Sequence, residues 1–541
     1  MEKSLTQTLE NDNLKIEVLR LHNDQLSIRA ISEITGIPRT TLQTFIAKKS
    51  YRKWWDQIES KPFADGKIQD HHKNIKSLKK NCYVLTSAQN NTFVHKQFFD
   101  SLRKLVEQRN AQLIIGTFAY NINAFQNLEK GAEWYDPLIT EYIVDEPVML
   151  ADGLIWCGEL NILPTATNPL SGLQSYARNC SAIFPHAKLQ LDSVPTHLEY
   201  DTKMLYTTGA ITKRNYIQKK AGQKASFHHA FAALIVEVDS DGDWFVRQLV
   251  ADEETGTFQD LDTLYTPTGY VTNQKVEAIN WGDIHVEKLD KEVADACFYS
   301  DSSMLNVLKP KYQFIHDLYD FSARNHHNIN DPYHRFVVYN NKEDKVEDEI
   351  DKLVDFLNSI DKEHTKTVVV ESNHDLALRR WLKEADYKTD PANAVFFLMC
   401  QLEIYSRLKF GEYDFNLLQW LCEMRVSNRM HFLSEDQSFK ICNDNGHGIE
   451  CSSHGHRGAN GSRGSLNTFT KLEARYNVGH SHSAAIRDGV YVAGVCADKS
   501  KMEYVKGPSS WSNSNIITYP NGRRTIVTIK SGKWKAKIKK I

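Results

Sequence analysis

Seven side chains suited to divalent metals stand in five short, widely separated segments: Gly282-Asp283-Ile284-His285, His316-Asp317-Leu318-Tyr319-Asp320, Ser372-Asn373-His374-Asp375, Ser452-Ser453-His454-Gly455-His456 and Gly479-His480-Ser481-His482. Each segment follows an apolar, β-branched run, so each is expected at the C-terminal mouth of a strand. Asp283, His285, Asp317, Asn373, His454, His480 and His482 would then converge from several strand ends and hold two divalent ions side by side. Such a pair of ions is suited to breaking phosphate esters. Two ions about 3.5–4 Å apart share one oxygen ligand and have separate ligands on either side. Asp317 suits the shared position because a carboxylate has two oxygens. Asp283 and His285 lie two apart on a segment leaving a strand, where a turn can aim both inward. Asn373 adds a neutral oxygen, and the three later histidines add imidazoles. A nitrogen and oxygen set without thiolate favours Mn²⁺, Fe²⁺ or Zn²⁺ over an all-oxygen Mg²⁺ site. Mn²⁺ is the first expectation, and Mg²⁺ stays as an alternative.

A lone histidine in a β/α protein is usually a surface group or a satisfied core group, so the weight rests on the five segments together. His447 and His456 compete with His454, which is preferred because it directly follows the strand expected at 449–453.

These residues need a framework. Strands are expected at 276–280, 312–315, 367–371, 449–453 and 476–478, with a helix at 346–360 before the third. Further strands are expected at 489–496, 514–519 and 524–530. Residues 376–446 read as a helical insertion, with helices at 394–408 and 415–423, that would serve as a lid, a substrate wall or a contact between copies. Together these elements define a domain at 272–541. Upstream, 81–271 reads as a second α/β domain without evident chemistry: a strand at 82–85, a helix at 98–108, a strand at 111–115, then strands at 147–150, 154–157, 232–238 and 244–250. The acid-rich turn at 239–243 lacks the length and closing glutamate of a calcium loop. His228 and His229 read as structural or surface groups.

Residues 1–80 carry a helix at 27–35, a break at Gly36-Ile37-Pro38, and a second helix at 39–48. Pro38 sits where a missing N–H costs little. The pattern resembles the helix-turn-helix of phage and bacterial regulators, whose second helix enters the major groove. That makes Arg39, Thr40, Thr41, Gln43 and Thr44 candidate DNA contacts. Residues 48–80 lean basic, which reads either as phosphate contact or as a solvated helix and linker. Trp54 and Trp55 read as closing a small core. From Pro520 onward there are eight Lys or Arg and no Asp or Glu, so the tail is a further candidate contact with nucleic acid, with a solvated final strand as the alternative.

Bulk composition limits the rest. A chain of 541 residues with 41% hydrophobic and 25% charged residues reads as an ordinary soluble multidomain protein. A net charge of -2 excludes a uniformly basic coat. No stretch approaches 18 apolar residues, and the first residues lack the apolar segment of a signal peptide, so a cytoplasmic location without membrane contact is expected. Nine dispersed cysteines without a CxxC pair argue against a disulfide scaffold. No sustained heptads predict a coiled coil, although pairing of copies is expected for a protein of this kind.

In order, strand context and spacing, GDIH, HDLYD, SNHD, SHGH and GHSH resemble the motifs of the calcineurin-like metallophosphoesterase superfamily, over roughly residues 275–530. The resemblance implies an α/β fold in which a β-sandwich is flanked by helices. It implies that Asp283, His285 and His482 hold one metal and Asn373, His454 and His480 the other, with Asp317 between them. His374 would contact the scissile phosphate and assist the leaving oxygen, oriented by Asp375. Asp320, His326, His327 and Arg457 are candidate phosphate neighbours. His316 and Ser372 stand where the family has glycine, which alters loop packing and leaves the ligands intact.

The superfamily spans protein phosphatases, nucleotidases, cyclic-nucleotide phosphodiesterases and repair nucleases of the SbcD type. A front helix-turn-helix and basic flanks tilt the expectation toward a DNA nuclease, since remote cationic contacts retain a long polyanion. The whole chain also resembles large tailed-phage nucleases that act early in infection on host DNA, in the host cytoplasm. The alternatives are a phosphatase or phosphodiesterase for a small or protein substrate, and a DNA-binding regulatory protein with a vestigial metal site.

Overall fold

The computed structural model describes residues 18, 21, 26–47, 75–120, 134–197, 199–443, 448–502 and 505–536. Most of the basic segment at 48–80, Trp54 and Trp55, His447 and the last five residues lie outside them. The fold is mixed α/β, with four sheets among the described residues.

One sheet orders the strands Met430–Leu433, Lys366–Val370, Tyr312–Ile315, Ala278–Asn280, Ser514–Thr518 and Arg524–Thr528. The first four are parallel and the last two antiparallel. Their two-residue alternation sends Ala278, Phe314, Val368, Val370 and Leu433 to one face, against Ile441, Ile449 and Cys451 of a second sheet. The intervening Ile279, Ile315 and Val369 face helices through Ile350, Leu353, Trp381 and Phe397. Buried on both faces, these strands read as continuous apolar runs. The Met430–Leu433 strand falls within the segment expected to be a helical insertion, so 376–446 contributes to the sheet as well as the helices Ala394–Lys409 and Leu417–Glu423.

The second sheet has eleven strands. It runs Lys76–Ser77, Pro147–Ala151, Leu154–Cys157, Ser181–Phe184, Lys203–Thr207, Leu191–Val194, then Ala485–Arg487, Val490–Val492, Arg475–Val478, Ile449–Glu450 and Lys440–Ile441. Front and back halves of the chain are thus joined in one sheet. A third sheet, Trp244–Val250, Ala232–Val238, Cys82–Gln89 and Gln112–Phe118, packs Leu85, Leu234 and Val246 with Ile486, Ile516 and Ile526 of the back half. A continuous core therefore crosses the 271/272 position at which two domains were expected to part.

Near the front, the helices Ile28–Thr35 and Arg39–Ala47 flank the turn at 36–38. Ser27 caps the first by accepting from the Ala30 N–H, and Gly36 closes it at φ 69, a left-handed geometry that favours glycine. Ile31, Ile37, Leu42 and Phe45 pack with Phe93 and Trp134 of the α/β body, so the hairpin is seated on it.

Candidate metal centre

The parallel strands Ala278–Asn280, Tyr312–Ile315 and Lys366–Val370 end at one edge of their sheet, and Ile449–Glu450 and Arg475–Val478 run parallel in the neighbouring sheet. The segments leaving these ends bring the predicted residues together. Asp283, His285, Asp317 and His482 offer ligand atoms within 4.8 Å of one another, all buried, and so do Asp317, His454 and His480. Asp317 belongs to both groups. His482 Nε2 lies 3.0 Å from Asp283 Oδ2 and 3.3 Å from His285 Nε2. His454 Nε2 lies 3.2 Å from Asp317 Oδ2. Asn373 and His374 line an adjoining cleft with His480.

The backbone is bent to make this possible. His285 (φ 47), Asp317 (φ 40), His480 (φ 70) and His482 (φ 57) all occupy the left-handed region. Each such non-glycine residue costs about 1–3 kcal/mol, and such strain collects at functional sites. The glycine of GHSH has a steric cause, since a Cβ at Gly479 would overlap Asp283 Oδ1. Asp283 in turn accepts the His480 N–H at 2.7 Å.

The centre is rich in acceptors that lack hydrogen-bond donors. Asp283 Oδ1, Asp317 Oδ1, Asn373 Oδ1 and His482 Nδ1 are buried without a hydrogen-bond partner. A group of this kind is costly unless something charged satisfies it. Burial lowers the His454 pKa, yet the carboxylates of Asp317 and Asp283 overcome it and hold the imidazole up at about 9. Burial opposes ionisation of Asp317 too, but His454 and His374 bring its pKa well below the usual range. The pocket is short of positive charge, and these residues fit divalent cations.

His374 sits beside the centre with its ring 5.1 Å from that of His285. The partner that orients it is Asp320, a correction to the expected Asp375. His374 Nδ1 lies 3.2 Å from the Asp320 carbonyl oxygen and 3.5 Å from its carboxylate. The same carboxylate stands 3.3 Å from His285 Nδ1 and takes a 2.7 Å bond from Lys288 Nζ. Its Oδ2 is held by Lys288 and Ser322, and Asp320 lines the adjoining cleft with His374. Asp375 instead accepts the Ser372 N–H and fastens its own loop. Burial lowers the His374 pKa, but Asp317 and Asp320 outweigh it and raise it above the usual value.

His326 and His327 line the adjoining cleft, whereas Arg457 is held by Glu435 at 2.9 Å. Arg463 and Lys506 also line that cleft; sequence reading missed them because a lone cation on a turn carries no pattern. The tail lysines expected to reach nucleic acid are engaged where described. Lys533 meets Asp239, Asp241 and Asp243, and Lys530 lies 2.8 Å from Asp201. Of the helix-turn-helix candidates, Arg39, Thr40, Gln43 and Thr44 are exposed and Thr41 is half-buried. Among the described residues no helix is long and apolar enough to cross a membrane.

Fold and site together define a mixed α/β protein with buried His/Asp clusters that could hold a metal ion. The chain is similar to protein A1 of Escherichia phage T5, with 43% identity over 472 residues that cover 84% of this chain and 82% of the relative. It belongs to the same family of phage proteins. No protein-family model matches the chain. No solved structure matches it either.

Proposed function

We propose that this chain is a phage-encoded, dinuclear-metal-dependent phosphoesterase of the calcineurin-like type, and that it hydrolyses DNA phosphodiesters. The observation that carries this reading is the shared carboxylate: Asp317 belongs to both ligand groups, between Asp283, His285 and His482 on one side and His454 and His480 on the other. Asn373, with its unsatisfied buried oxygen, completes the second group. Two divalent ions held there would polarise the phosphoryl oxygens and lower the pKa of a bound water.

The chain's own residues do the rest. His374, whose pKa Asp317 and Asp320 raise against the effect of burial, is placed to deliver a proton to the departing oxygen. Asp320 fixes the His374 ring from behind through Nδ1, leaving Nε2 for the substrate. Lys288 neutralises Asp320, so this support does not repel a phosphate. Arg463 and Lys506 on the cleft wall supply cations for flanking phosphates. The exposed Arg39, Thr40, Gln43 and Thr44 on the second front helix give a remote grip on duplex DNA.

The test is incubation with closed-circular and end-labelled linear duplex, with Mn²⁺, with Mg²⁺ and with EDTA. Metal-dependent cleavage, lost on chelation, is expected. Rapid hydrolysis of a small phosphate ester with both DNAs intact would replace the nuclease with a phosphatase.

A further inference from the structure

Ten strands of the eleven-stranded sheet read the same from either end once Lys76–Ser77, which pairs in parallel with Pro147–Ala151 at one edge, is set aside. From one edge inward, Pro147–Ala151 is antiparallel to Leu154–Cys157, which is parallel to Ser181–Phe184, then parallel to Lys203–Thr207, then antiparallel to Leu191–Val194. From the other edge, Lys440–Ile441, Ile449–Glu450, Arg475–Val478, Val490–Val492 and Ala485–Arg487 repeat that series in order and direction. The two series meet where Leu191 pairs with Ile486. Carrying the registers inward from the matched strands makes Leu191 and Ile486 equivalents, and they are the pair that faces across the antiparallel junction, where a two-fold axis would pass. Asp192 and Arg487 are also equivalents, and their side chains meet diagonally across the antiparallel junction at 3.0 Å.

The other sheets follow. Cys82–Gln89, Gln112–Phe118, Ala232–Val238 and Trp244–Val250 match Ala278–Asn280, Tyr312–Ile315, Ser514–Thr518 and Arg524–Thr528 in pairing and direction. Ser87 bridges Ala210 as Asp283 bridges Val495. Ser87 O accepts from the Ile211 N–H and Asp283 O from the Cys496 N–H, both at 2.8 Å. His95 caps the helix Lys96–Arg109 as Asp290 caps Lys291–Ala294.

This correspondence places Ser87 at Asp283, Gln89 at His285, Gly116 at Asp317, Glu159 at His454, and Pro185-His186-Ala187-Lys188 at Gly479-His480-Ser481-His482. One histidine remains of the set. Where Gly479 leaves room for Asp283, Pro185 fills the space, 2.6 Å from where a Cβ on Gly116 would stand. His186 Nε2 is 3.2 Å from the Leu163 carbonyl oxygen, and Lys188 reaches across the axis to Asp488 at 2.6 Å.

We infer that the described residues of 82–250 are a second copy of the strand framework around the metal centre, with its ligand positions overwritten, and that this copy now forms one wall of the path by which a DNA strand reaches the centre. The wall role rests on the nuclease reading above and on one cleft. A cavity of about 920 Å³ is lined by Gln174, Ser193 and Pro195 of the front copy and by His374, His482 and Arg463 of the back. The two-fold brings the front copy's edge against the centre, so the substrate path has one wall from each copy. Gln174 and Pro195 are exposed on that wall.

The test uses the full-length protein. Gln174→Glu with Pro195→Glu places two negative charges on the wall. The KM for long duplex should rise roughly five- to twentyfold at low salt and much less at high salt, with kcat at saturating duplex within about twofold. An unchanged KM in a wild-type-like, folded variant would remove the wall from the substrate path while leaving the nuclease intact. A wild-type protein that cuts no DNA would overturn both readings. Separately, Mn²⁺ titration should saturate at two ions per chain, and Asp283→Asn with Asp317→Asn should abolish it. Stoichiometric Mn²⁺ remaining in that variant and located beside Ser87 and His186 by anomalous diffraction would overturn the metal-free assignment of the front copy.

Discussion

After the strand Arg475–Val478 of the back lobe comes Gly479, and Asp283 packs into the space its missing side chain leaves. After the corresponding Ser181–Phe184 of the front lobe comes Pro185, and its ring presses on Gly116 where the back lobe has Asp317. The strands the two places share agree in order and direction, while the back sheet adds Lys366–Val370, which leads to Asn373 and His374, and Met430–Leu433. Within the shared strands, the difference lies in a few residues at strand ends. In the back lobe they are buried, strained and unsatisfied, with four positive-φ ligand residues. In the front lobe the corresponding His186 is hydrogen-bonded to backbone and Lys188 is ion-paired. A fold supplies positions, and chemistry depends on what stands in them.

This contrast can be broken most severely at its centre. Asp317→Asn should remove turnover and weaken metal binding on both sides of the shared carboxylate, read by activity and metal content together. Retained turnover would deny Asp317 its shared role. His374→Ala should leave metal content intact and lower kcat by about 10²- to 10⁴-fold, as for loss of a positioned proton donor. Parallel loss of metal would move His374 into the ligand set. Asp320→Asn acts through His374 and should lower kcat by about 10- to 100-fold with KM and metal content held. A change confined to KM would make Asp320 a substrate contact instead.

The strand-end segments at Asp317 and Asn373 were legible because apolar runs precede them, and the runs at 312–315 and 154–157 coincide with Tyr312–Ile315 and Leu154–Cys157, whereas the strand expected at 449–453 is only Ile449–Glu450. Ser181–Phe184, Leu191–Val194 and Lys203–Thr207 escaped notice. They are four or five residues long and lie in a stretch full of turn residues, where no alternation develops. The duplication was equally hidden, since the marker residues of one copy had been replaced and only strand pairing records the likeness. Lys533 looked available to DNA because a charge pattern along the chain cannot reveal Asp239, 294 residues away in sequence. Asp320 was visible in HDLYD, but its partners Lys288 and His374 come from other segments.

A smaller effect sharpens the picture of what supports the back lobe. Burial, followed by the field of Glu287, raises the Glu349 pKa well above the carboxylate range, while its Oε1 accepts the Ala323 N–H. A raised folded-state pKa favours the protonated form, so this contribution to stability is full below the unfolded value and is lost progressively as pH rises from there through the folded value. Glu349→Gln keeps the shape and removes the titration. Its Tm should therefore fall less between pH 6 and pH 9 than that of the wild type, and parallel Tm curves would contradict the protonated state. Smaller still, Arg39→Ala should weaken duplex binding a few-fold and reduce its salt dependence, leaving cleavage chemistry unchanged. An unaltered salt slope would take the front helices out of substrate capture.

The most direct measurement is anomalous diffraction from crystals grown with Mn²⁺. Two peaks roughly 3.5–4 Å apart are expected, with Asp317 between them. Asp283, His285 and His482 should surround one, and Asn373, His454 and His480 the other. A single peak away from Asp317, or Mn²⁺ bound in the front lobe beside Ser87 and His186, would contradict the account.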